Sequence, residues 1–398
     1  MKASVNANGP SRRLTVAAET RVALIVGAGI GGLAAGIALQ RAGWRIQIHE
    51  RADTARELGF ALSLAPNAMA ALQELGLDHV IHARGMRPTR FEIRRPDGGV
   101  LRRLDAQLGG QSFVALRSVL HGALLSAVDP QALRLSSEAA RFTLDETGVT
   151  LYFADGRSER GDVLVGADGV RSVIRRCLHP DEPPPAKSRF AALRGVAQGV
   201  SDPLGALAAI LYLGDGIEAA AARADSDTIY WYMSLLGDAL PARVRDPAAL
   251  AEHCVQRFEP TFKTLVSSTR SDSLRFDELF QHAPLSNWGR GRITLLGDAA
   301  HPLLPHTGQG AAQALEDAVA LGLAVSRTTD VEQGLRDYER VRSRRTRRFI
   351  TMGPRIARMT TTTSPLVQTL RTTLVRWIPE ILLAAASSAG PDPHRDLR

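Results

Sequence analysis

The run Gly27-Ala28-Gly29-Ile30-Gly31-Gly32 has the spacing G-x-G-x-x-G at Gly27, Gly29 and Gly32. Glycine at those three places allows a tight turn, lets a pyrophosphate approach the backbone, and lets a helix pack closely on a strand. Ile30 and Gly31 complete the loop and belong to the same binding set. The helix that follows offers free N–H groups and a dipole that favour an anion. Glu50 stands 18 residues after Gly32, where a carboxylate accepts hydrogen bonds from a ribose diol. These residues describe a dinucleotide site without separating a flavin from a nicotinamide.

Two further segments carry chemistry. Residues 162–175 read D-V-L-V-G-A-D-G-V-R-S-V-I-R, a strand delivering Asp168-Gly169 to a turn, with a helix beginning near Ser172. Residues 297–318 read G-D-A-A-H-P-L-L-P-H-T-G-Q-G-A-A-Q-A-L-E-D-A. There a strand ends at Asp298, a proline-bounded loop follows, and Gly308-Gln309-Gly310 opens a long helix. A carboxylate at a strand end binds sugar or ribityl hydroxyls, and a helix N-terminus facing a ring system holds negative charge on it. His301 and His306 flank this loop. Histidine is a common general base near neutral pH. We assign His306 to the substrate as the candidate catalytic base and His301 to fixing the loop.

The elements that must position these residues follow from pattern. Val22-Ala23-Leu24-Ile25-Val26 is an unbroken apolar run that suits a strand buried on both faces of a parallel sheet. A helix to Ala42, a stop at Gly43 and an alternating strand Arg45 to His49 make a βαβ unit of the usual size, about 30 residues. A short helix opens at Pro66, and Phe91 to Leu104 reads as a hairpin around Pro96-Asp97-Gly98-Gly99. A helix follows Arg117. Strands are expected at 148–154 and 162–167. Pro183-Pro184-Pro185 marks a crossing between domains, because three prolines continue neither a helix nor a central strand. Residues 188–235 are strand-like and 247–267 helical. A buried strand spans Arg292 to Leu296, and helices are expected at 311–326, 331–352 and 365–386.

In combination and in this order, the three motifs resemble the single-component (class A) FAD-dependent aromatic hydroxylases. That family includes para-hydroxybenzoate, salicylate and urate hydroxylases and the tetracycline-inactivating monooxygenases. The resemblance implies an α/β (α+β mixed) fold: a Rossmann-like FAD-binding domain interrupted by a mainly β-sheet substrate domain, with C-terminal helices. The expected division is a tail at 1–20, an FAD-binding domain at 21–87, 105–182 and 286–350, a substrate domain at 88–104 and 183–285, and a C-terminal segment at 351–398. It further implies that Gly27, Gly29 and Gly32 cradle the FAD pyrophosphate and that Glu50 meets the adenosine ribose, with Arg51 beside it. Arg117 would contact FAD, Asp168 would serve both FAD and the nicotinamide donor, and Asp298 would bind the ribityl-phosphate region. Pro305, Gly308, Gly310 and Ala311 would lie against the isoalloxazine, and Gly59 to Ser63, including Leu62, along its other edge. Many members carry Asn where Ala312 stands.

The implied reaction is hydroxylation of an aromatic or polycyclic small molecule by dioxygen through a flavin C4a-hydroperoxide, with NADH or NADPH as transient donor. A dry site is needed for that chemistry. Leu62, Arg194, Tyr230, Tyr232, Pro305 and His306 are the expected substrate residues. Epoxidation or antibiotic inactivation by the same chemistry, and a flavin-binding regulatory protein, are the alternatives.

Composition bounds the rest. The chain has 398 residues, 44% hydrophobic and 23% charged, as globular domains have. Its net charge of +8 admits anionic partners without selecting one. Cys177 and Cys254 are too few for a disulfide framework or a cysteine zinc site, so no metal is expected and a cytoplasmic setting fits. Residues 1–20 lack the apolar region of a secretory signal. Val22 to Leu39 is long enough to approach a membrane span, but its glycines mark a phosphate loop. The arginine run from Arg340 to Arg348 reads as a solvated face, with no nucleic-acid partner. Residues 365–386 carry one apolar face, expected to dock on the protein, with an entrance lining or peripheral membrane contact as alternatives. The chain is expected to be a monomer or homodimer.

Overall fold

A computed structural model describes residues 20–55, 60–105, 112–200, 203–237 and 246–377. In chain order it begins with β1 (Val22–Val26), α1 (Ile30–Arg41) and β2 (Arg45–His49), then β3 (Ala61–Leu64), α2 (Pro66–Glu74) and α3 (Asp78–Arg84). The hairpin β4 (Arg90–Arg94) and β5 (Val100–Asp105) precedes β6 (Phe113–Leu116) and α4 (Arg117–Ala127). Next come β7 (Leu133–Arg134), β8 (Ala139–Leu144), β9 (Val149–Phe153), β10 (Ser158–Gly161), β11 (Val163–Gly166) and α5 (Val173–Leu178). Then follow β12 (Ala186–Gln198), β13 (Ala209–Leu213), β14 (Ile217–Arg223), β15 (Thr228–Leu236), α6 (Pro247–Val255), α7 (Pro260–Ser267) and β16 (Leu274–Gln281). The chain closes with β17 (Ile293–Leu295), α8 (Gly310–Ser326), α9 (Val331–Thr360) and α10 (Pro365–Trp377).

The five-stranded sheet has the order β17-β11-β1-β2-β7 with every pair parallel. All residues of β1 are buried, as its unbroken apolar run demands of a strand covered on both faces. Parallel strands end on one edge. The sequences after β1, β11 and β17, which are Gly27 to Gly32, Asp168 and Asp298, therefore meet at the carboxyl edge, where α/β sheets bind ligands.

The seven-stranded sheet has the order β16-β12-β15-β14-β13-β4-β5. Alternation along β15 decides its two faces. Ile229, Trp231, Met233 and Leu235 are buried in one core with α6 and α7. Tyr230 and Tyr232 point to the other face and are half-buried. Tyr230 packs there against a cluster that includes Ala61 and Val114 of the β3–β6 pair.

Several expectations need correction. β9 falls on the strand expected at 148–154, but its antiparallel partners β8 and β10, and the β3–β6 pair, were not expected. Their short strands lack a distinctive apolar pattern. The helical stretch 247–267 is two helices, separated before Pro260. α9 runs past residue 352 and through Pro354. Pro354 removes only one donor, and buried Gly353 and Ala357 on either side hold the turn against the loop at Leu304. Residues 350 and 351 thus lie within one helix.

α10 covers Pro365–Trp377, and 378–386 lie outside the described residues. Its apolar face does not dock on the protein. Leu366 and Trp377 are 83% and 81% exposed, whereas Arg371 is 4% exposed. Arg371 is drawn inward by carbonyl acceptors, as described below. Among the described residues, no helix is long and apolar enough to cross a membrane.

Candidate active site

The glycine loop is shaped by close contacts that only glycine permits. Gly27 has φ +103°, and a Cβ there would lie 2.5 Å from the Ala167 carbonyl oxygen. A Cβ on Gly32 would fall inside the radius of the Gly27 carbonyl oxygen. Gly29 is the N-cap of α1, and its side makes no cap hydrogen bond, so the first amides of α1 face the loop unscreened. The Glu50 carboxylate sits at the end of β2 and accepts from Ala28 N–H at 2.9 Å and Ala52 N–H at 3.0 Å. His121 of α4 adds a bond at 2.9 Å between Nε2 and the Ala28 carbonyl. His121 was not singled out from the sequence. Its only sequence signal is a polar residue on the apolar face of a helix. Arg51 is exposed beside Glu50.

At the end of β11, Asp168 caps α5. Ser172 Oγ donates to it at 2.5 Å and Val173 N–H at 2.6 Å. Burial pushes the Asp168 pKa up against these hydrogen bonds. Arg117 opens α4, its N–H donating to the Phe60 carbonyl at 2.6 Å. Its charge reaches Asp298 in the turn after β17. The Asp298 side chain is exposed, but desolvation by the surrounding protein raises its pKa, with His301 and Arg117 opposing.

The turn at Gly297 is held from behind by a buried ionic network. Asp317 of α8 accepts from Gly297 N–H at 3.0 Å, meets His301 Nε2 at 2.5 Å, and accepts from Arg342 Nε at 2.7 Å. Burial alone would raise the Asp317 pKa; His301 and Arg342 outweigh it and hold it at about 2. Glu316 pairs with both Arg342 and Arg345, and accepts from Asn67 Nδ2 at 2.6 Å. His301 therefore does fix the loop. The arginine run is not wholly a solvated face. Arg344, Arg347 and Arg348 are exposed, but Arg342 has no exposed surface. The signal was present in Glu316-Asp317, two adjacent acids in an otherwise apolar helix, which burial obliges to find cations.

The face of the seven-stranded sheet carrying Tyr230 and Tyr232 also carries Arg194, the cross-strand partner of Tyr232, and Ser234. Ala220 and Ala222 sit opposite Tyr232 and Tyr230, so small side chains leave a floor beside the two rings. The loop after Leu304 reaches this face. His306 Nε2 and Ser234 Oγ are 2.7 Å apart, and the Phe190 ring packs edge-on against the imidazole with centroids 5.2 Å apart. Burial lowers the His306 pKa, with Glu218 opposing. Its Nδ1 is buried and has no hydrogen-bond partner. Tyr232 donates to Glu218 at 2.7 Å, and burial together with that carboxylate keeps its hydroxyl protonated.

The structure thus brings Tyr230, Tyr232, Arg194 and His306 to one surface, and Phe60 approaches Tyr230 at 6.3 Å between centroids. Leu62 lies on β3, half-buried; Gly59 lies outside the described residues. Arg194 is engaged by Asp277 at 3.2 Å, and Arg275 shares that carboxylate at 2.6 Å.

The residues present fit FAD. The glycine loop leaves bare backbone at the sheet edge. Pro305 opens a tight turn, Gly308 has φ +62°, and a Cβ on Gly308 or Gly310 would meet nothing within 4 Å. The N-terminus of α8, at Gly310 and Ala311, therefore faces open space.

Comparison with known proteins agrees with that fit. A family model described as an FAD binding domain matches residues 19–352. The aurachin C monooxygenase/isomerase of Stigmatella aurantiaca is 33% identical over 344 residues, covering 84% of this chain and 88% of that protein. The 2-heptyl-3-hydroxy-4(1H)-quinolone synthase of Mycobacteroides abscessus is 30% identical over 334 residues, covering 79% of this chain and 84% of that protein. Klebsiella pneumoniae HpxO, solved with FAD and uric acid, superimposes with TM-score 0.86 at 25% identity, covering 93% of this chain and 97% of that one.

Proposed function

This chain belongs to the FAD-binding-domain family of FAD-dependent monooxygenases, and from that membership we propose that it hydroxylates an electron-rich aromatic ring bearing an ionisable O–H or ring N–H, with NAD(P)H and dioxygen as co-substrates. FAD would be held by Gly27, Gly29, Ile30, Gly31, Gly32 and Glu50 at one end and by Asp298, Pro305, Gly308, Gly310 and Ala311 at the other, with Arg51, Arg117 and Asp168 around it. Bound there, it supplies the reducing equivalents and activates dioxygen.

The protein's own part is positioning and proton transfer. The neutral His306 imidazole, with Nδ1 unpartnered, is the observation that carries the reading. A buried base of lowered pKa accepts a proton from a substrate O–H or N–H at neutral pH. Removing that proton raises electron density in the ring to be oxidised. Ser234 orients the imidazole through Nε2. Tyr230, Tyr232 and the alanine floor accept a flat ring, whereas Leu62 packs on the core of the parallel-sheet unit. Because Arg194 is engaged by Asp277, a substrate carboxylate would have to displace an existing pair. A substrate without one is favoured, and the relative named for a hydroxyquinolone supports that class.

The test is NAD(P)H consumption by the FAD-loaded protein across quinolones, phenols, purines and benzoates, with the oxygenated product identified by mass spectrometry. Stimulation by quinolones or phenols and not by benzoates is expected. Coupled turnover on benzoates alone would overturn the assignment of Arg194 and of the substrate class.

A further inference from the structure

The C-terminal helix pair carries a surface that the reaction does not use. From Arg340 to Trp377 the chain has ten arginines and no aspartate or glutamate. Arg344, Arg347, Arg348, Arg355 and Arg358 are exposed and share one face of α9 by their spacing. Met352 and Met359 are exposed among them. A four-residue turn leads to α10.

One side of α10 is fastened to the protein. The buried Arg371 guanidinium donates to the carbonyls of Thr360 at 2.7 Å and of Leu213 and Gly214 at 3.3 Å. Gln368 Nε2 donates to Asp215 at 3.1 Å, and Val375 packs against the cluster of Ile93, Leu101 and Leu213. The opposite side presents Leu366, Leu370, Leu374 and Trp377 to solvent. Rolling the helix to bury this stripe would strand a guanidinium away from its acceptors, at high cost. The stripe is therefore fixed outward.

We propose that α10, with the basic face of α9, is a docking surface for an anionic lipid bilayer. An apolar stripe with a terminal tryptophan suits the headgroup boundary, and exposed arginines in a stretch that carries no acid suit anionic headgroups. Charge decides against a second copy of this chain: self-pairing would bring two arginine-rich, acid-free segments together. The surface backs directly onto the site. Gly353 lies within 3.7 Å of the Leu304 side chain by the position its Cβ would take, and Ala357 packs with Phe190 and Leu304. A docked enzyme would thus take an apolar aromatic substrate from the bilayer; that consequence rests on the reaction proposed above, while the docking does not.

The experiment is flotation of the full-length, FAD-loaded protein with phosphatidylcholine vesicles, with and without phosphatidylglycerol, in low and high salt. Binding to the phosphatidylglycerol vesicles, weakened by salt, is expected. The double variant Leu370→Glu, Leu374→Glu should lose at least about tenfold in binding with its thermal midpoint and flavin content unchanged. No flotation with anionic vesicles, or flotation indifferent to the double variant, would overturn the proposal. So would binding that appears only after removal of residues 378–398, since the chain's own tail would then be the occupant. Loss of a dimer in the double variant without vesicle binding by the parent would assign the stripe to self-association. None of these readouts requires turnover.

Discussion

Replacing Arg342 by methionine tests whether the buried network holds the flavin-side turn. The guanidinium contacts Asp317, Glu316 and the Gln313 side chain, all inaccessible to solvent. Methionine fills similar volume but removes the cation. Glu316 keeps Arg345 and Asn67 as partners, and Asp317 keeps His301. Breaking a buried pair by removing one partner costs about 3–5 kcal/mol, and the surviving partners place this site at the lower end, about 3 kcal/mol. A chain of 398 residues has an unfolding entropy near 0.8 kcal/mol per kelvin by the usual per-residue scaling, so the midpoint should fall by roughly 4 °C. The assay is a thermal melt at fixed scan rate on flavin-free protein, so that lost ligand stabilisation does not enter. The second expected effect is functional. Asp317 also holds Gly297 N–H, so FAD titration should show weaker binding in the variant. A shift under about 1 °C with unchanged FAD affinity would refute both the burial of the cation and its support of the turn.

Gly32→Ala should abolish FAD retention, because the new Cβ meets backbone, while Gly31→Ala meets only side chains, the Leu296 end at 2.8 Å and the Ala314 Cβ at 3.4 Å, and should keep most of it; flavin absorbance after gel filtration distinguishes them. His306→Asn should lower kcat/KM by about 10²–10⁴-fold. In the parent, kcat/KM should fall as pH drops through a pKa lower than the ordinary histidine value of 6.5, because burial favours the neutral ring; an acid limb that survives in the variant would remove His306 from the role of base. The Asp317 pKa of about 2, against an ordinary 3.8, means its ion pairs stabilise the fold above pH 3.8 and are lost as pH falls towards 2. The stability gap between parent and Asp317→Asn in urea titrations should therefore narrow by about 1 kcal/mol from pH 5 to pH 3; a gap that widens on acidification would contradict the ion pairing.

Much of the dinucleotide cradle was legible because its requirements are local. A glycine is needed where a Cβ would strike the backbone a few residues away, and Gly27 to Gly32 state that in six letters. The apolar run of β1 and the acids ending β2, β11 and β17 placed those groups at strand ends before any packing was known. The two faces of the seven-stranded sheet were legible only as a pattern: alternation in Tyr230-Trp231-Tyr232 says two tyrosines share a side, and the structure decides which side meets α6 and α7.

What the sequence could not determine depends on partners far along the chain. Arg342 and Arg344 are two residues apart in one basic helix, yet one is buried on Asp317 and the other is in solvent. His306 is held with a lowered pKa because Ser234, 72 residues earlier, and Phe190 close over it. α10 shows its apolar side to water because the carbonyls after β13 capture Arg371. Periodicity determines which residues share a face of an element. Only tertiary packing, by supplying or withholding a partner for each buried charge, decides which face turns inward.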